Sequence, residues 1–118
     1  AMTLETDCIA HDTVLAALAE HIGEDLGISA NALSVQITGQ YANAGTERRL
    51  RHVIEALRRQ GHHVCGHPAT GYYLARTEEE LNRTCSFLYD RAMTGLTQIA
   101  AMKRVALPNL RGQLRLPT

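Results

Sequence analysis

Residues 62–75 read HHVCGHPATGYYLA, and the reading of this stretch decides the fold. It follows Gly61, where an apolar stripe of helical spacing (Leu50, Val53, Ile54, Leu57) stops, and glycine readily closes a helix in the left-handed conformation. From His62 the apolar period changes to that of a strand; Pro68 and Gly71 mark a turn, and Tyr72–Ala75 reads as a second strand with its two tyrosines on opposite faces. The competing reading is a metal site, because three histidines and a cysteine fall within six residues. Alternation puts His63, Cys65 and His67 on one face, and three nitrogen or sulfur ligands suffice for zinc with an open fourth position. Against it, Gly66 and Pro68 interrupt the strand, no second ligand pair such as CxxC exists elsewhere, and His11, His21 and His52 fall in other segments. The stretch therefore reads as a β-hairpin whose histidines face solvent or an anion, with no metal and no cofactor implied. Cys65 and Cys85 read as small apolar residues, since nothing local activates a thiolate.

Working outward, the helix before the hairpin is the clearest in the chain. Thr46 offers its N-cap, and Arg48, Arg49, Arg51, His52, Glu55 and Arg58 occupy the faces away from the apolar stripe. Upstream, Val14, Leu15, Leu18, Ile22 and Leu26 recur at three to four residues and predict a helix from Asp12 to Leu26, stopped by Gly27. Ser29 caps a short second helix through Ile37, ended by Gly39, and QYANAG (40–45) has loop chemistry. Downstream, Thr77 with Glu80 three residues on forms a capping box. It opens a long helix carrying Leu81, Cys85, Leu88, Ala92, Leu96 and Ile99, predicted to run to about Val105, short of Pro108. A tail with Leu107, Leu110, Leu114 and Leu116 has no clear period. The expected organisation is one domain over residues 1–76, then a C-terminal helix and extended tail over 77–118.

Net charge is zero, yet its distribution is uneven. Residues 1–46 hold six acids and no Lys or Arg, residues 47–76 carry a net +4, and eleven of the twelve basic residues are Arg. An arginine-rich middle segment suits an anionic partner, and the planar guanidinium pairs bidentately with phosphate or guanine. The odd cysteine count of three, together with the lack of a charged leader before an apolar run and of any run of 18 apolar residues, predicts a cytoplasmic protein with no membrane contact. Phosphate-cradling glycine loops, nucleophile elbows and paired carboxylates near histidine are all missing from the sequence, so an enzyme is not expected.

Helix, helix, Arg-rich helix and hairpin, in that order, resemble the winged helix-turn-helix family. ERRLRHVIEALRRQG (47–61) is similar to its recognition helix, and Gly71-Tyr72-Tyr73-Leu74-Ala75 to the second wing strand of the biotin-repressor N-terminal domain. The resemblance covers roughly residues 12–76 and extends loosely, through GYYLA-T-EEL and the long helix, to small winged-helix proteins of phages and prophages. The QYANAGT junction is longer than the usual three or four residues. No biotin-ligase catalytic segment is present. The resemblance implies a mainly α fold, a three-helix winged helix-turn-helix with a two-stranded β-wing and a long C-terminal helix. It implies binding of double-stranded DNA in transcription or replication. Arg48, Arg49, Arg51 and His52 would then meet base edges, Arg58 and Arg59 phosphates, and His63, His67 and Thr70 of the wing the backbone or minor groove, with the end of the second helix near Ser29 and Asn31 donating to phosphate. The long helix predicts a homodimer through residues 81–103. The rival reading is a protein-interaction module of the same fold that docks a replication or host factor without binding DNA.

Overall fold

A computed structural model of the chain describes residues 9–104. Helix α1 spans His11–Leu18, α2 Ala30–Thr38, α3 Ala44–Arg59 and α4 Glu78–Lys103. Strands β1 (Val64–His67) and β2 (Gly71–Leu74) form an antiparallel hairpin between α3 and α4, pairing Val64 with Leu74 and His67 with Gly71. The protein is mainly helical, with a two-stranded sheet and a long C-terminal helix. No helix among the described residues is long and apolar enough to cross a membrane. The tail with Leu107, Leu110, Leu114 and Leu116 lies outside the described residues. The described residues divide into two units between Thr84 and Cys85.

In the first unit the core is aliphatic: Val14 and Leu18 of α1, Leu33 of α2, Leu50, Ile54 and Leu57 of α3, and Val64 of β1 are buried together with Ile9. Each such side chain contributes about 1.5–3 kcal/mol on leaving water. Local chemistry sets the ends of the helices. The Ser29 hydroxyl accepts the Ala32 N–H at 3.0 Å, capping α2 as expected. At the end of α3, the Gly61 N–H donates to the Arg58 carbonyl and the His62 N–H to that of Leu57, with Gly61 at φ +98°, the bond pattern of a Schellman motif.

Two expectations are corrected. The first helix ends at Leu18 rather than Leu26, because residues 21–28 serve as an extra edge for the hairpin. Ile22 bridges Leu74 in parallel and Ile28 bridges Tyr72 antiparallel, with backbone bonds of 2.7–2.9 Å from His21, Gly23 and Ile28, around a short 3-10 turn at Glu24–Leu26. The cap of α3 is Asn43, not Thr46. The Asn43 Oδ1 accepts both the N–H (2.9 Å) and the hydroxyl (3.1 Å) of Thr46, which lies buried in the first turn. The junction between α2 and α3 therefore shortens to residues 39–43.

Both faces of the hairpin are covered. Val64 packs on the helical core, while Cys65 and Tyr73 are buried on the other side, where the Cys65 thiol donates to the Glu80 carbonyl at 3.6 Å. Burial pushes the Cys65 thiol up from its ordinary range, so it is no thiolate. The capping box is half formed: the Thr77 hydroxyl accepts the Glu80 N–H at 3.1 Å, but the Glu80 carboxylate reaches further, accepting the N–H groups of Arg76 (2.7 Å) and Glu24 (3.0 Å). One carboxylate thus joins the 3-10 turn, the end of the hairpin and the start of α4. The Arg76 and Glu24 backbone N–H bonds hold its pKa below the usual carboxylate range. A depressed folded-state pKa adds stability that is present above the unfolded pKa, near 4.3, and lost as pH falls through the folded value. Glu80→Gln puts an NH2 where one of two backbone N–H groups needs an acceptor, and is expected to lower Tm by about 5 °C at neutral pH. Thermal melts from pH 7 to 3 should also show a smaller acid-side loss in the variant than in the parent.

Candidate nucleic-acid interface

Helix α3 carries five arginines, and its buried face, built from Thr46, Leu50, Ile54 and Leu57, fixes where they stand. At about 100° per residue, Arg48, His52, Glu55 and Arg59 fall in one outward stripe opposite that face. All four are exposed. Arg51 lies on the flank toward the hairpin, where its charge and that of Arg58 act on the Tyr72 phenol, which burial pushes above the ordinary tyrosine range and the two arginines pull back. Arg49 lies on the opposite flank, about 160° round the axis from Arg51.

Arg58 is committed locally. Its Nε donates to the Val64 carbonyl at 2.8 Å, fastening β1 to the end of α3. Beyond α3, Arg76 pairs with Asp25 at 3.1 Å and donates to the Ile22 carbonyl at 2.7 Å, Arg83 pairs with Glu24 at 2.8 Å, and Arg91 sits 5.6 Å over the Phe87 ring. By contrast, Arg48, Arg49, Arg51 and Arg59 form no ion pair among the described residues. The two acids of the 3-10 turn are thus neutralised by arginines from the hairpin's end and α4, which leaves Arg48, Arg49, Arg51 and Arg59 of α3 free to act outward.

The hairpin residues separate into two groups. His67 and Thr70 sit at the turn and hold it: the His67 Nδ1 accepts the Ala69 N–H at 3.0 Å, and the Thr70 hydroxyl donates to the Gly71 carbonyl at 3.1 Å. His63 lies at the opposite end of the hairpin, about 13 Å away along the strand. It is exposed there and borders a shallow cleft of about 300 Å³ with Ala75, Arg76, Thr77, Glu78 and Leu81. The shared face expected for His63, Cys65 and His67 brings no ligand set together, since Cys65 is buried against α4. No group of three metal-ligating side chains occurs among the described residues. Near the N-terminus of α2, the Asn31 amide donates to the Glu47 carboxylate at 3.2 Å, which places a negative group at that end.

Three functional placements went unread in the sequence: the commitment of Arg58 to β1, the three-way grip of Glu80, and the position of Tyr72 beside Arg51 and Arg58. Only Glu80 carried a local signal, its capping-box spacing. No protein-family model matches this chain, and no curated protein or solved structure matches it.

Proposed function

We propose that the chain is a winged helix-turn-helix protein of phage or prophage type that binds double-stranded DNA in the cytoplasm, as a regulator of transcription or replication. In this reading α3 lies in the major groove, with Arg48, Arg51 and His52 toward base edges, Arg59 toward phosphate, and the hairpin turn at His67–Thr70 beside the backbone. The protein acts as a homodimer through residues 81–103, so that two copies of α3 read two half-sites. The observation that carries the reading is the pairing pattern of the arginines: those outside α3 at Arg76 and Arg83 are neutralised, while Arg48, Arg51 and Arg59 are exposed and unpaired.

Fluorescence anisotropy of a random-sequence duplex at two salt concentrations tests it. Binding should weaken with salt at a log–log slope of several, because each neutralised phosphate releases counterions. One observation favours the rival interaction module: Glu55 stands, exposed, in the middle of the outward stripe of α3, where a carboxylate repels phosphate. Absence of binding up to about 100 µM, the weak end of non-specific DNA affinity, would hand the assignment to that module.

A further inference from the structure

We propose that two copies of the chain pair antiparallel along α4, crossing where Ala92 and Gly95 meet; the inference rests on the homodimer reading and adds the orientation. From Cys85 onward none of the described residues is buried, and Leu88 and Met102 are 38% and 77% exposed. Cys85, Leu88, Ala92, Gly95, Ile99 and Met102 follow one another at steps of three and four, the spacing of a two-helix seam.

That series is self-complementary about its centre. Reversed, it sets Cys85 against the partner's Met102, Leu88 against the partner's Ile99 and Ala92 against the partner's Gly95, so the two smallest residues meet at the crossing and Leu88 and Ile99 flank it. A two-fold contact requires this reciprocity: if one position meets a second, the second must meet the first.

Gly95 supplies a second argument. Glycine inside a helix costs about 1 kcal/mol relative to alanine. Nothing lies within 4 Å of where its Cβ would stand, so no contact inside the chain requires it. A close approach of a second backbone does. Orientation follows from the ends of α4. Glu78 and Glu79 are exposed in its first turn, and Lys103 and Arg104 are exposed at its end. Parallel pairing stacks Glu78 and Glu79 on their copies and Lys103 and Arg104 on theirs. The antiparallel register avoids both. It sets Lys103 level with the partner's Thr84, about 8 Å along the axis from the partner's Glu79, and Arg104 level with the partner's Arg83, which Glu24 already pairs. It also runs the two helix dipoles in opposite directions.

The test uses the full chain with Cys8→Ser, which leaves Cys65, buried, and Cys85, exposed. Under mild oxidation this protein should stay uncross-linked, since Cys85 faces the partner's Met102. Adding Met102→Cys should yield a covalent dimer, with peptide mapping placing the disulfide between Cys85 and the new thiol at position 102. Because Met102 is exposed, the substitution leaves the fold intact. A Cys85–Cys85 disulfide in the Cys8→Ser protein would overturn the antiparallel arrangement while leaving the dimer standing. Sedimentation as a monomer at about 100 µM would overturn both. As a second variant, Gly95→Leu should weaken self-association at least tenfold with no change in the melting of the first unit.

Discussion

Gly71→Ala is expected to cost roughly 3–5 kcal/mol of folding stability, against about 1–2 kcal/mol for Gly61→Ala. Both glycines have positive φ, +79° and +98°, so both substitutions carry the left-handed penalty. They differ in surroundings. A Cβ on Gly61 meets nothing within 4 Å, whereas one on Gly71 would stand 2.4 Å from the Ile28 carbonyl oxygen. That oxygen is the acceptor for the Tyr72 N–H at 2.7 Å, so it has no room to retreat without breaking the bridge between residues 21–28 and β2. The neighbouring Gly27 shows the same crowding, its Cβ falling 2.0 Å from the Thr70 carbonyl oxygen. Urea unfolding of the two alanine variants measures the difference, and equal costs would mean that the bridge yields and does not define the fold.

The double variant Arg48→Ala/Arg51→Ala is expected to lose roughly 100-fold or more in affinity for duplex DNA. This follows from about 1–3 kcal/mol for each arginine contact. To the extent that the two side chains touch phosphate, the salt slope should fall by up to about 2. Arg49→Ala, on the opposite flank of α3, should change affinity less than about threefold, because one helix cannot present both flanks to one groove. Arg83→Ala should leave binding unchanged and remove an exposed pair worth at most about 1 kcal/mol of stability. Anisotropy titrations of these proteins, with circular dichroism to confirm the helices, separate a groove-facing surface from a diffuse positive field. Equal losses from Arg49→Ala and from Arg51→Ala would indicate the latter.

How far the sequence carried the reading depended on whether the deciding interaction was local. Ser29 caps its own helix, Gly61 closes its own, and the His67–Thr70 turn is made by neighbours, so these elements were legible. The end of α1 was not, because Ile22 and Leu26 keep helical spacing while the bonds that pull residues 21–28 out of the helix come from β2, some fifty positions away. Those side chains are 43% and 48% exposed, so their spacing reflected no buried face. The candidate interface followed the same rule. That α3 is arginine-rich is plain in the residues, but which arginines are already spent depends on Asp25, Glu24 and the Val64 carbonyl, all contributed by other segments.

The way the two strands are hemmed in governs how the protein behaves when crowded. A two-stranded hairpin standing alone is marginal and offers two open ladders to any passing chain. Here the outward groups of Tyr72 and Leu74 in β2 bond to His21, Gly23 and Ile28. On β1 the Val64 carbonyl is taken by Arg58 and the Gly66 N–H by the Thr84 hydroxyl at 3.3 Å. Strand-by-strand addition, the route to fibrils, finds no template on β2 and a broken one on β1, so the folded protein can be concentrated without offering its sheet as a seed.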